Sequence, residues 1–183
     1  TPQLLNESLA HMKEKWYLMR EIKQNYKSKK IENNMLDTTT NLVEQGCTKM
    51  RTFIDVDSIV GLDLIYIARD VKAYWKYYGV DLQIGTQLLE GLDSSESIEL
   101  FNKASKLVDF IGCLPSRDPD PSKHLDIVFS RASELGKDVE AHLDQCNIPT
   151  EKETELFCDH VEKYNYQGKS RAIHCVSLSC HPL

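Results

Sequence analysis

The sequence predicts an all-α domain, and three observations predict it. Apolar residues recur at intervals of three and four along most of the chain, the period of a helix with one buried face. Strict apolar–polar alternation, the mark of a half-buried strand, is hard to find. Residues that cap or stop helices stand at the ends of the apolar stripes.

The elements follow in order. Leu5, Leu9, Met12, Trp16, Met19, Ile22 and Tyr26 form the stripe of a first helix. A second segment from about Ile31 carries Met35, Leu42 and Val43, and its Asp37-Thr38-Thr39-Thr40 run predicts a break or kink, because these side chains compete for backbone hydrogen bonds. Gly46 is its stop. Asp55 to Ser58 offer N-caps for a central helix with Val60, Leu64, Ile67, Val71, Tyr74 and Tyr78, ended by Gly79. A short glycine-interrupted segment spans Val80 to Leu92. Asp93-Ser94-Ser95 then cap a helix with Ile98, Phe101, Ser105, Val108 and Ile111. Asp120 at N-cap with Pro121 behind it starts the next helix. Its stripe runs through Leu125, Val128, Ala132, Leu135, Val139, His142 and Cys146, as far as Pro149. Thr150 to Glu153 read as a capping box for a last helix with Phe157, Val161 and Tyr164. The expectation is a single domain: a bundle of about six helices over residues 1–168 and an irregular tail over 169–183.

The 183 residues are 41% hydrophobic and 27% charged, ordinary for a globular chain. A net charge of −6 argues against bulk nucleic-acid binding, which needs excess Lys and Arg. Charges interrupt the most apolar stretch, Ile59 to Val80, so it is no membrane span. Cys47, Cys113, Cys146, Cys158, Cys175 and Cys180 are even in number and lack metal-site spacing. They read as three disulfides of an exported protein. The missing initiator Met and the glycosylation sequon Asn6-Glu7-Ser8 support a signal peptide, a glycoprotein and an extracellular setting. On adjoining helices Cys146 and Cys158 would stand about 10 Å apart along the axis. That exceeds the reach of a bridge, so each is expected to pair with Cys175 or Cys180, leaving Cys47 with Cys113.

Chemistry is sparse. There is no nucleophile elbow, zinc-protease motif, P-loop or dinucleotide fingerprint, so no enzyme, cofactor or metal is expected, the alternative being a hydrolase with no recognisable motif. His124-Leu125-Asp126 and His142-Leu143-Asp144 repeat one triplet 18 residues apart. On one helix they would be about 27 Å apart, beyond one metal's reach, and the sequence places neither His160 nor His174 beside them.

Two binding readings compete. Tyr66, Tyr74, Trp75 and Tyr78, with Asp63 and Asp70, could wall a pocket between helices, which makes a secreted carrier of a small apolar or amphipathic ligand. Residues 11–30 hold seven basic side chains against two acidic. Lys13, Arg20, Lys23, Lys27 and Lys30 line one side of the first helix as a stripe for an anionic glycan or an extracellular protein. That stripe suits the alternative, a secreted protein ligand or antagonist of the cytokine, salivary, venom or parasite-effector kind.

Overall fold

The computed structural model describes residues 12–146 and 148–181, with backbone only for 12–14. It contains five parallel strands and is not all-α. Two helices, α1 (Met12–Gln24) and α2 (Ser28–Glu44), lead into an alternation of strand and helix. The order is β1 (Lys49–Asp55), α3 (Asp63–Tyr77), β2 (Asp81–Gln87), α4 (Ser95–Leu107), β3 (Ile111–Cys113), α5 (Pro121–Leu135), β4 (Val139–Leu143), α6 (Glu153–Lys163) and β5 (Ser170–His174).

β1 pairs with β2, and β3 with β4 and β4 with β5, all in parallel. A parallel bridge from Gly85 to Phe110 joins the two groups, giving the spatial order 1-2-3-4-5. Parallel strands need a crossover between them, here a helix each time. Strands in chain order, each followed by a helix, form the wall of a (β/α) barrel. The wall is curled, because the Phe53 ring on β1 lies 4.6 Å from the His142 ring on β4. In a flat sheet those strands would lie about 14 Å apart, three spacings of about 4.8 Å.

Strand parity sorts the side chains. Ile54, Leu82, Ile84, Ile111, Val139 and Ala141 join the core with the helices. Arg51, Phe53, Gln83, Phe110, Glu140 and His142 meet one another across the lumen. Two glycines make the lumen fit. A Cβ on Gly85 would run into the buried Phe110 ring, and one on Gly112 into the Thr86 carbonyl and Phe53.

Several helix starts are as expected. Ser94 caps α4 in a capping box with Ser97. Asp120 accepts the Lys123 N–H, with Pro121 behind it. Other expectations fail for identifiable reasons. α2 runs unbroken through Asp37–Thr40, because the Thr39 and Thr40 hydroxyls donate back to the Met35 and Leu36 carbonyls (2.8 and 2.7 Å). α3 begins at Asp63, while Asp57 caps the preceding turn through the Ile59 and Val60 N–H groups. α5 ends at Gly136, left-handed at φ 65°, so Val139, His142 and Leu143 are strand, not continued helix. The two His-Leu-Asp triplets therefore do not share a helix. The supposed tail contains β5.

There is no disulfide among the described residues, which removes the stapled, secreted reading's main support. Cys47 precedes β1 and Cys113 closes β3, at opposite ends of the wall. They are roughly 20 Å apart at about 3.3 Å per strand residue, far beyond bridging distance. Asn6 lies outside the described residues. No described helix is long and apolar enough to cross a membrane.

Candidate functional site

The lumen face is built in layers along the strands. At the N-terminal ends, buried Glu140 accepts from Arg171 (2.6 Å) and from Arg51. Arg51 also donates to Gln83 (2.9 Å) and lies over the Phe110 ring. Above this polar floor Phe53 and Phe110 meet edge to face at 5.3 Å. The C-terminal ends carry Asp55, Gln87, His142 and His174. In parallel barrels that end is the mouth where chemistry is assembled.

His142 Nδ1 and His174 Nε2 stand 3.0 Å apart at the ends of adjacent strands. Burial, and then the neighbouring His174, lower the His142 pKa to about 4, so the imidazole is neutral near pH 7. Its Nε2 is buried without a hydrogen-bond partner. The backbone around the pair is unusual. Among the described residues four non-glycine residues have positive φ, and three of them are Asp144 (48°), His174 (75°) and Cys175 (52°). Conformations of that kind persist where surrounding contacts enforce them.

The enforcing contacts are visible on the β4 side. The wholly buried Asp144 carboxylate accepts the Glu153 N–H (2.9 Å), the Thr154 N–H (3.2 Å) and the Thr154 hydroxyl (2.5 Å). Glu153 in return accepts the Asp144 N–H (2.9 Å). These bonds replace the capping box expected at Thr150–Glu153. They lock the loop two residues beyond His142 onto the first turn of α6.

On the opposite side α1 reaches the mouth through its basic residues. Lys23 is buried and bonds Asp55 (2.7 Å) and Asp57 (2.5 Å). Burial pulls its pKa down, but the two carboxylates outweigh that and hold it above the usual lysine value. Arg20 bonds Glu90 (2.6 Å), and Arg117 lies over the Trp16 ring at 4.0 Å. The predicted basic stripe is thus divided. Arg20 and Lys23 turn to the mouth, Lys27 and Lys30 are exposed, and the Lys13 side chain lies outside the described residues.

The expected aromatic pocket residues are placed elsewhere. Tyr66, Tyr74 and Tyr78 are about half exposed on α3. Trp75 is buried, its indole N–H donating to Thr39 (2.5 Å). Asp63 accepts from Tyr26 (2.8 Å), and Asp70 is exposed. None of them joins the histidine pair. His174 is the partner that sequence spacing could not supply to His142. Strand ends of a parallel sheet come together across any sequence distance.

No protein family recognised by sequence matches this chain. An uncharacterised protein of Haemophilus influenzae is 30% identical over 176 residues, which cover 94% of this chain and 63% of that protein. This chain therefore spans less than two thirds of that relative. The fold is similar to 5-methylcytosine deaminase from Klebsiella pneumoniae liganded with 5-fluorocytosine, with a TM-score of 0.88 at 19% identity over 96% of this chain and 43% of that one. N-isopropylammelide isopropylaminohydrolase from Burkholderia multivorans gives 0.68 at 24% identity over 75% and 36%. The expectations of an all-α, disulfide-stapled bundle and of a binding protein rather than an enzyme are overturned. The wall is parallel α/β, no disulfide forms among the described residues, and two of the solved structures sharing the fold are a deaminase and an aminohydrolase.

Proposed function

We propose that this chain supplies five strands of a barrel hydrolase that removes an amino group from a nitrogen heterocycle. The observation that carries the reading is the His142–His174 pair, two imidazoles 3.0 Å apart at the mouth of a parallel wall. The named reactions of the two proteins sharing the fold support it, since each takes an amine from a heterocycle.

Such hydrolysis adds water to a ring carbon and delivers a proton to the departing nitrogen. His142, kept neutral, offers a lone pair rather than a positive charge. The pair fits a divalent metal. Nitrogens 3.0 Å apart subtend about 90° at an ion about 2.1 Å from each. Among the described residues no cluster of three or more ligating side chains forms, so the two imidazoles are this chain's contribution. Such an ion, when bound, supplies Lewis-acid activation of water. Phe53 walls the lumen beneath His142 and keeps water from entering there. Gln87, ending β2 on the lumen face, has a carboxamide oxygen buried without a partner, placed to accept a ring N–H and orient the heterocycle. Asp144 holds the His142 loop in position.

The test is ammonia or amine release from cytosine, 5-methylcytosine and N-isopropylammelide by the complete barrel that contains this chain, loaded with zinc or iron, alongside His142→Ala and His174→Ala. Turnover in the parent and its loss of about 10³-fold or more in both variants, on the scale of removing a metal's function, is the expected result. Absence of release from all three substrates by metal-loaded protein refutes the reading.

A further inference from the structure

Beside the mouth, α1 and the loops after β1, β2 and β3 enclose a cavity of about 420 Å³. Its aromatic walls are Trp16 and Tyr17, and its cations are Arg20, Lys23 and Arg117. Asp57 and Glu90 are the acids that line it. Both are occupied. Asp57 bonds Lys23 and two backbone N–H groups. Glu90 bonds Arg20 with one oxygen and the Ser58 N–H with the other.

Arg117 is the cation left over. Its Nε donates to the Leu89 carbonyl (2.6 Å), and its Cζ lies over the Trp16 ring. Its two Nη groups meet no acceptor within bonding distance among the described residues. Asp118, the adjacent carboxylate, is engaged elsewhere. It holds His124 Nδ1 (2.6 Å) and takes the Leu92 N–H on both oxygens. Burial lowers the Arg117 pKa and the charges of Asp118 and Glu90 offset this only in part, so a half-buried guanidinium with no carboxylate in ion-pair contact among the described residues is an incomplete arrangement. Its planar fork matches two oxygens of one anion, and the indole beneath fixes its plane.

We infer that the cavity is a recognition site for the anionic end, carboxylate or phosphate, of a planar small molecule, with Arg117 as the group that binds it. Neither histidine nor Gln87 lines the cavity, so the site is separate from the histidine pair and does not depend on the hydrolase reading above. Trp16 and Tyr17 receive the ring, Arg117 the oxygens, and the volume admits a single ring with its substituent.

Quenching of tryptophan fluorescence tests this without depending on turnover, because Trp16 lies in the cavity and Trp75, the other tryptophan, is buried against Thr39. The probes are orotate, uracil (the same ring without the carboxylate) and uridine 5′-monophosphate. Expected is binding of orotate or the nucleotide about tenfold or more tighter than uracil in the parent protein, as a charge-assisted fork implies. The preference should weaken with salt. Arg117→Met should bring the preference to about twofold or less, and Arg117→Lys should leave it in between. Whichever anion binds better names the source, carboxylate or phosphate. Equal binding of all three probes by the parent protein overturns the inference even if no variant folds, as does an undiminished preference in a folded Arg117→Met. Failure to release amine from any heterocycle would sink the hydrolase reading while leaving this binding result standing.

Discussion

Replacing Gly85 by alanine probes the lumen packing directly. The added methyl would fall on the Phe110 ring, which is wholly buried between Gly85, Phe53 and Arg51. Overpacking of a filled interior costs about 1–3 kcal/mol, and a ring with no free side belongs near the top, at about 3 kcal/mol. Phe110→Leu alone should cost roughly 1.5 kcal/mol for the buried carbons it removes. Because the leucine vacates the space that the methyl needs, the double variant should lose about 2 kcal/mol rather than the sum, a coupling of about 2.5 kcal/mol. Gly112 behaves differently. A methyl there meets the Thr86 carbonyl as well as Phe53, and a backbone oxygen cannot be trimmed by mutation. Gly112→Ala should therefore cost at least as much and gain little from Phe53→Leu. Urea unfolding reads both cycles. With a slope of about 2 kcal/mol per molar, Gly85→Ala should lower the midpoint by about 1.5 M. If Gly85→Ala is neutral, or Phe53→Leu rescues Gly112→Ala as fully as Phe110→Leu rescues Gly85→Ala, the layered lumen is wrongly drawn.

Three further outcomes are expected. Lys23→Met leaves Asp55 and Asp57 buried without their cation and should cost about 3 kcal/mol at pH 7. Burial already raises the Asp55 pKa, and Lys23 is what opposes the rise. In the variant Asp55 therefore takes a proton at higher pH, and the cost measured by unfolding should shrink between pH 7 and pH 5; a cost that grows on acidification would contradict this. Native protein should show the same mass before and after reductant, and the exposed Cys158 should react with a thiol reagent. Cys113, whose thiol burial holds far above its usual pKa, should react only on unfolding. Asp144→Ala should lose about 2–4 kcal/mol, because the Glu153 and Thr154 donors are left unpaired. Asp144→Asn, which tolerates the left-handed backbone and keeps one acceptor, should lose about 1 kcal/mol, measured by the same unfolding.

The helices were legible in the sequence because their signals are local. Asp120-Pro121 and Ser94 mark starts by their own side chains, and Phe157, Val161 and Tyr164 fall on one face of α6. The strands were not. Their lumen face is polar, so β2 and β4 do alternate, Leu82 and Ile84 with Gln83, and Val139, Ala141 and Leu143 with Glu140 and His142, but over runs too short to stand out from the helical stripes beside them. β3 and β4 also follow helices at misleading intervals. Val139 and His142 extend the stripe of α5 by steps of four and three, and only Gly136 marks the end. The site was less visible still. His142 stood out only as half of a repeated triplet, and His174 lay in what resembled a tail. Their meeting depends on strand order, which is a property of the whole chain. The basic residues of α1 were noticed as a stripe for partners, but the acids they meet, Asp55, Asp57 and Glu90, lie 32 to 70 residues later.

Glu140 holds arginines from both outer strands of the wall, Arg51 of β1 and Arg171 of β5. The first of these contacts spans 89 residues of sequence, whereas each strand–helix–strand unit closes over some thirty. Loops that long are slow to close in a folding chain. The units should thus assemble first as a loosely curved ribbon, and the carboxylate should fasten the two rims only near the end. A contact made that late affects the rate of opening more than the rate of folding. The buried acid at the floor thereby sets how long the mouth, at the far end of the same strands, keeps its shape.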